Sequence, residues 1–560
     1  MKKGTCNIVI GGEAGQGLVT VGQMISKILV RSGYHIVVTQ SYQSRIRGGH
    51  NTFAVRVAPR FLEAPAEAID ILVALNGETV ELHRKGLAPG GLIVADEAFG
   101  VADDACLKVP FETLAGDERF VNTAALGILC ALLGLEREPA GKMLDEFFGV
   151  KHPEMMEGNK AALARSFEWT GARPEKLRKL PFAEGGGGKV MLNGNEAIAL
   201  GAVSAGVRFC AFYPMTPATS IPLTLIGMAE RMGLVVEQAE DEIAAVNMAI
   251  GASFAGAPAM VATSGGGFAL MVEGVSLAGM TETPLVMVVA QRPGPATGLP
   301  TRTEQADLEF VLHAGHGEFP RAVFAPGTVD ECFHLTSKAF DLAERYQGPM
   351  FVLTDQFLAD SYRAVQPFDV GGLDQVRPGA GSAPIEAPYR RHAITESGIS
   401  PRLIPGAYEH LVVTDSDEHT EDGHLTEDLE VRTRQVEKRL AKGIGITGEM
   451  LQPEHGGPDA PELLLVSWGS TLGSVREAAS LLRAGGREVS TLHFRQVWPL
   501  VPDQFLGRLT GAGRVVCVEG NATGQLASLI RRETGFLIEE RVNRYDGLPI
   551  TPEYIVKRIS

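Results

Sequence analysis

The sequence has few cysteines, and no two of them are close together. Cys6, Cys106, Cys130, Cys210, Cys332 and Cys517 include no CxxC pair. This argues against a structural zinc or an iron–sulfur cluster held by this chain alone and matches reduced, mostly buried thiols. Long apolar runs are missing too. The longest membrane candidate, ALGILCALLGL, falls short of the roughly 20 residues a spanning helix needs. The start MKKGTCNIVIGG turns glycine-rich where a signal peptide would stay apolar, so a cytoplasmic protein is expected. Nor is there an excess of positive charge. The chain has 51 Lys and Arg against 67 Asp and Glu, a formal charge of −16, and so no electrostatic footprint for nucleic acid or an anionic membrane.

What is abundant is glycine, at 66 of 560 residues, above the usual share of about 7%. Tight turns and close backbone approaches follow. Hydrophobic residues at 45% and charged residues at 21% are ordinary for a soluble globular chain, and the length suits about three or four domains.

The organisation along the chain is α/β. NIVIGG, HIVVTQ, ILVALN and GLIVAD are short apolar runs that alternate with helical stretches such as LVTVGQMISKILVRSG, which predicts a parallel sheet with crossover helices over residues 1–180. PFAEGGGGKVMLNGNEA at 181–197 reads as a linker. The alternation resumes over 189–375 with VRFCAFYP, LVVEQAE, APAMVATS, TPLVMVVAQ, RAVFAPG and PMFVLTD. The small-residue helix EIAAVNMAIGASFAGA among them must pack very closely against a neighbour. A third αβ unit covers 456–560, with ELLLVSWG, EVSTLHFRQVWPL and RVVCVEG.

Between these units, 376–455 is Pro-rich and acidic and ends in the charged helical segment LEVRTRQVEKRLAKG. It is expected to be a long connection that wraps a surface. Within it, TDSDEHTEDGHLTED gathers Asp415, Asp417, His419 and His424. The spacing does not fit a calcium loop, and a solvated acidic loop is the favoured reading.

Four motifs could carry chemistry. GGEAGQG follows a strand and opens a helix, where backbone N–H groups can cradle phosphate. Gly12, Gly15 and Gly17 give GxxGxG rather than GxGxxG, and no acidic residue closes the second strand, so an NAD ribose partner is missing. Arg45, Arg47 and His50 could neutralise another phosphate; a coenzyme site and a plain strand-to-helix turn both remain open. In YPMTPAT (213–219), Pro214 and Pro217 end a strand while Thr216 and Thr219 suit helix entry. Capping accounts for one threonine, but not for the stiffening around it. Such a loop at the carboxyl end of a parallel strand is also where α/β sheets place ligands.

Glu242 lies at the mouth of the small-residue helix near Glu237, Glu240 and Asp241. Crowded carboxylates raise one another's pKa and burial adds to the rise, so one of them could hold or share a proton with a bound heterocycle, although acids at helix N-termini are common for dipole reasons alone. Arg292 follows a strand and precedes a Pro/Gly loop that ends at Thr301. That placement suits bidentate capture of a carboxylate, or equally a surface salt bridge.

In this order, GGEAGQG with RGGHN, YPMTPAT, EDEIAAVNMAIGAS, TSGGG, RPGPATGLPTRTEQADL, GHLTED and EGNATGQL resemble the α subunit of the 2-oxoacid:ferredoxin oxidoreductases, in the form with a γ-type domain fused at the N-terminus. The resemblance spans nearly the whole chain. It implies three parallel-sheet αβ domains: a γ-type domain at 1–180 that helps bind coenzyme A, a thiamine-diphosphate pyrimidine-binding domain at 189–375, and a transketolase C-terminal-like domain at 456–560, with the acidic connecting segment at 376–455.

The implied chemistry is oxidative decarboxylation of a 2-oxoacid on thiamine diphosphate, with two electrons passed through an iron–sulfur cluster to ferredoxin and the acyl group passed to coenzyme A. The residue matching Glu242 is then catalytic, bonding the cofactor's aminopyrimidine ring. Tyr213 and Pro214 contribute to cofactor binding, Thr216 and Arg292 hold the substrate carboxylate, and Thr301 lies in the substrate loop. Gly12, Gly15, Gly17, Arg45 and Arg47 are the implied coenzyme A residues. Met215 stands where the family commonly has Ile, and Ala218-Thr219 where it has Ser-Ser, departures that bear on substrate preference.

The chain has no GDG motif followed by Asn for magnesium and diphosphate. The resemblance therefore implies a β subunit carrying Mg2+, the diphosphate-binding domain and a 4Fe-4S cluster, in a dimer of αβ pairs. By family frequency the substrate is 2-oxoglutarate and the product succinyl-CoA, in a reversible reaction. The alternatives are pyruvate or another 2-oxoacid, a non-catalytic coenzyme-binding scaffold, or a self-contained transketolase-like enzyme.

Overall fold

The computed structural model describes residues 4–43, 49–150, 152–183, 188–373, 378–379, 385 and 388–559. Two compact units form. One comprises Met1–Leu192, Asp360–Pro367 and Thr551–Glu553; the other comprises Asn193–Ala359, Phe368–Ile550 and Tyr554–Ser560. No helix among the described residues is long and apolar enough to cross a membrane.

The first unit holds strands β1 (Cys6–Glu13), β2 (His35–Ser41), β3 (His50–Ala58), β4 (Ile69–Ala74), β5 (Leu87–Asp96), β6 (Cys106–Val109) and β7 (Val190–Leu192). With Arg363–Val365 they make one eight-stranded sheet, ordered β6-β5-β4-β1-β3-β2-(363–365)-β7. The expected parallel pattern holds from β6 to β1 and fails beyond it, where β1, β3, β2 and the last two strands pair antiparallel. The cause is chain length. The connection from β2 to β3 is too short for the dozen or more residues of a parallel crossover. The stretch HNTFAVRVA, which was not among the expected strands, forms β3. Phe53, Val55 and Val57 are buried and Thr52, Ala54 and Arg56 are partly open, the alternation of a strand with one face on a core. Helices α1 (Leu18–Arg31), α2 (Val121–Leu133) and α3 (Met156–Gly171) supply much of the rest of that core.

The second unit carries all six strands expected over 189–375: β8 (Phe209–Phe212), β9 (Val235–Gln238), β10 (Ala259–Thr263), β11 (Leu285–Gln291), β12 (Ala322–Phe324) and β13 (Pro349–Asp355). They run parallel in the order β12-β13-β11-β10-β8-β9. The stretch EVSTLHFRQVWPL, expected as one strand region, divides at Arg495. Val489–Phe494 joins the C-terminal five-stranded sheet, and Gln496–Trp498 pairs antiparallel with β12. One hydrophobic core runs between the two sheets, through Phe351, Trp468 and Phe494 among others.

Helix α4 (Ser220–Ile226) follows β8. Helix α5 (Glu242–Phe254) is the small-residue helix, and it packs on α6 (Gly265–Met280). A Cβ on Gly274 of α6 would come within 2.6 Å of Val246 Cγ1 of α5, which is the close packing the composition implied. Helix α7 (Leu308–His313) closes the loop after β11.

The connecting segment departs from expectation. Its helix α8 (Leu429–Gly448) buries Gln435, Lys438, Arg439 and Lys442, while Leu429 and Ile444 are about 80% exposed. Lys438 and Lys442 turn inward to the fully buried carboxylate of Glu282, while Arg439 pairs with Glu418 and Gln435 donates to the His392 carbonyl. The Glu282 carboxylate receives Lys438 Nζ at 2.6 Å, pairs with Lys442, and meets His392 Nδ1 at 2.9 Å. Arg391 donates to the carbonyl of Glu282 at 2.7 Å. Burial alone would raise the Glu282 carboxyl, but the two lysines and His392 together hold it well below the usual range. Burial drives the His392 imidazole down to about 2, so it is neutral.

The acidic stretch before α8 is correspondingly less solvated than expected. His419 is fully buried, with its ring centroid 3.9 Å from that of His392, and Glu418 accepts from Arg439 Nη1 at 3.0 Å. Glu282, His392 and His419 bring their ligand atoms within 4.8 Å of one another. Two lysine ammoniums already neutralise the carboxylate, which opposes a cation there.

Glu282→Gln is expected to destabilise the fold by about 3–5 kcal/mol, since it strands two buried ammoniums. The change would be read as a lower denaturant midpoint at unchanged slope. Because the folded carboxyl titrates below its unfolded value, its contribution is complete above the unfolded pKa of about 4.3 and is lost as the pH falls towards the folded one.

Candidate active site

The carboxyl ends of β8, β10 and β11 meet around the start of α6. The loop YPMTPAT leaves β8 and enters α4 at Ser220. Thr219 occupies the cap position but makes no side-chain hydrogen bond to the helix, so capping does not explain it. The loop is tied from outside instead. The fully buried Asn195 donates Nδ2 to Pro217 O at 2.8 Å and to Ser220 Oγ at 2.7 Å. Arg292, one residue past β11, donates Nη1 to Thr216 O at 2.6 Å. Thr216 and Arg292, far apart in sequence, are therefore in contact. Tyr213 and Pro214 are exposed at the start of the loop.

Asp241 caps α5 by accepting from Ala244 N at 2.7 Å, which fixes Glu242 as the first helical residue. Glu242 is only 3% exposed, and its Oε1 is buried without a hydrogen-bond partner. Burial, then the charge of Asp241, raise its pKa; of the carboxylates crowded nearby in sequence, Asp241 is the one that acts. The carboxyl rests against Gly267 of α6. A Cβ on Gly267 would lie 2.5 Å from Glu242 Oε1, so only glycine leaves room for it.

Arg292 is 8% exposed with its Nε buried and unpartnered. Burial lowers its pKa against the opposing charge of Asp307. Thr301 is buried in the loop that follows. That loop is clamped by Gln305, whose Oε1 accepts from Gly520 N at 2.8 Å and whose Nε2 donates to Trp468 O at 3.0 Å. Asn521 Nδ2 reaches Gln305 O at 3.1 Å. Asn195, Gln305 and Asn521 were not singled out from the sequence, although the last two lie inside RTEQADL and EGNATGQL.

In the first unit, Gly15 and Gly17 take left-handed φ values of 98° and 78°, which is why the turn into α1 is built on glycine. Gly12 ends the same turn's approach within β1. Arg45 and Arg47 lie outside the described residues. His50 shares a 2.7 Å contact with His83, and burial lowers both imidazoles, with Glu78 opposing at His50.

Residues 200–438 match the family described as pyruvate flavodoxin/ferredoxin oxidoreductase, thiamine diphosphate-binding, and residues 7–169 match pyruvate ferredoxin/flavodoxin oxidoreductase. A 2-oxoacid:ferredoxin oxidoreductase subunit alpha of a Sulfolobus species is 31% identical, over 97% of this chain and 94% of that one. The chain belongs to the 2-oxoacid:ferredoxin oxidoreductase α subunit family. The KorA subunit of the 2-oxoglutarate oxidoreductase of Mycobacterium tuberculosis is 30% identical, over 94% of this chain and 87% of that one. The solved 2-oxoglutarate:ferredoxin oxidoreductase of Magnetococcus marinus, with 2-oxoglutarate, coenzyme A and succinyl-CoA bound, superposes at a TM-score of 0.93, with 30% identity over 100% of this chain and 99% of that one.

An α subunit of this family carries a thiamine-diphosphate-binding domain and works within a multi-subunit oxidoreductase. The residues present fit that cofactor. The buried carboxyl of Glu242, with Oε1 unspent and pKa raised, has the properties that bonding to a ring nitrogen of an aminopyrimidine would require.

Gly267→Ala is expected to displace the Glu242 carboxyl, lower cofactor retention about tenfold and cost about 1–3 kcal/mol of stability. Cofactor content and thermal unfolding of the purified complex would check this.

Proposed function

We propose that this α subunit serves a 2-oxoglutarate:ferredoxin oxidoreductase. 2-Oxoglutarate and coenzyme A give succinyl-CoA and CO2, and two electrons pass to ferredoxin in a reversible reaction. The observation that carries the substrate is the whole-chain match to the Magnetococcus marinus enzyme, which holds 2-oxoglutarate and succinyl-CoA. The 2-oxoglutarate KorA relatives support the same reading.

When bound, thiamine diphosphate supplies the heterocycle that accepts the electron pair released on decarboxylation. The chain's own residues do the positioning. Glu242 Oε1, held at the head of α5, shares a proton with the pyrimidine ring, beside Tyr213 and Pro214. Thr216 and Arg292 bind the substrate carboxylate, already tied together by the 2.6 Å bond from Arg292 to the Thr216 carbonyl, so little orientation is left to fix on binding. Thr301 borders the substrate from the loop after β11. In the first unit Gly12, Gly15 and Gly17, with Arg45 and Arg47, contribute to the coenzyme A site.

A β subunit supplies the diphosphate-binding domain with Mg2+ and a 4Fe-4S cluster, a second αβ pair completes the assembly, and the complex is cytoplasmic. Neither nucleic acid nor membrane is a partner.

The test is the reconstituted complex with a panel of 2-oxoacids and a viologen acceptor. Coenzyme A-dependent reduction should be fastest with 2-oxoglutarate. Glu242→Gln should lower kcat about 100- to 10,000-fold while the subunits still assemble. A Glu242→Gln complex with normal turnover, or one that prefers pyruvate, would contradict the corresponding part of the proposal.

A further inference from the structure

We propose that Asp307 is a further residue of the substrate site. It faces Arg292 across the start of α6 and, by its charge, sets how tightly that guanidinium holds the substrate carboxylate. The inference rests on the reading that Arg292 binds that carboxylate.

Asp307 stands immediately before α7, where an aspartate ordinarily caps the helix. It makes no such bond. Its side chain turns instead towards α6, and a Cβ on Gly265 would come within 2.8 Å of its Cγ. Oδ2 is buried there with no hydrogen-bond partner. A buried acceptor left unspent costs stability, so its retention calls for an explanation other than helix capping.

The backbone holds Asp307 and Arg292 in a fixed relation. Asp307 N donates to Gln291 Oε1 at 2.9 Å, and Gln291 Nε2 donates to Thr354 O at 3.1 Å. Gln291 directly precedes Arg292. The two opposite charges act on each other, yet no ion pair within 4.0 Å joins them among the described residues. Arg292 spends Nη1 on Thr216 O and keeps a buried, unspent Nε. Arg292 Nε can donate to a bound carboxylate, whereas Asp307 Oδ2 can do so only when protonated, so the two side chains differ in what they offer such a ligand as Asp307 titrates.

An ionised Asp307 offsets part of the Arg292 charge felt by a bound carboxylate, whereas a neutral one does not. Burial holds the Asp307 carboxyl up at about 6, with Arg292 pulling it down. Glu304, raised to about 7 by burial and then by Asp307, is the other titratable group coupled to it, and it acts in the same direction. Substrate binding therefore weakens as the pH rises across this range.

The experiment uses the whole complex between pH 5.5 and 7.5. It measures KM for 2-oxoglutarate and the competitive inhibition constant of succinate, a dicarboxylate that cannot be decarboxylated. In the wild type both constants should rise about tenfold over the range. Asp307→Asn should lower both towards their acid-limit values at pH 7.5 and leave only the shallower rise due to Glu304, while Glu304→Gln should retain the Asp307 part. A flat wild-type profile would overturn the inference without any variant. So would an Asp307→Asn complex with unchanged constants and slope, provided Arg292→Ala raises both constants. If Arg292→Ala leaves them unchanged, the carboxylate reading itself falls, and the inference falls with it.

Discussion

A single carboxyl group, buried and unpartnered at the head of α5, governs the geometry of the second unit. Glu242 could occupy that position only if three neighbours gave way. Asp241 takes over capping, so that Glu242 begins the helix. Gly267 removes the side chain that would meet it. The small residues of α5 and α6 bring the two helices close enough to exclude water. Each concession lowers local stability, since glycine in a helix and an unspent buried acceptor both cost free energy. A ligand that donates to the carboxyl recovers that cost on binding, which is how a site can be weak when empty and selective when filled.

A second buried carboxylate works in the opposite sense. Glu282, just beyond the other end of α6, is satisfied by Lys438, Lys442 and His392. It fixes the connecting segment to the core through charge rather than apolar contact. Leu429, Leu440 and Ile444 of α8 face outward, while Ile446 is buried. The same helix α6 thus begins against a carboxyl with an unpartnered oxygen and ends beside one that is paired with two lysines and a histidine.

The legibility of the sequence followed the physics of each element. Of the six parallel strands from β8 to β13, all but the exposed edge strand β9 are largely buried, and short apolar runs reveal them. Strand β3 carries only alternating apolar residues and was overlooked. Nothing in EVSTLHFRQVWPL signals that its two halves join different sheets, because that depends on where β12 lies. The inward face of α8 was hidden for a related reason. Lysines and arginines read as solvated until a distant buried glutamate is known. Of the candidate site, the placement of YPMTPAT and Arg292 at strand ends and of Glu242 at a helix start was readable, because proline, helix position and strand end each leave a local mark. Asn195, Gln305 and Asp307 act through contacts with residues far away in sequence and leave none.

The most direct test of the account is to purify the tagged chain anaerobically from its own cells and record the companion polypeptides and the visible spectrum before and after 2-oxoglutarate is added. The account predicts a brown complex with a second, cysteine-rich polypeptide, whose visible absorbance falls when substrate and coenzyme A are supplied. A colourless chain without a companion would contradict it.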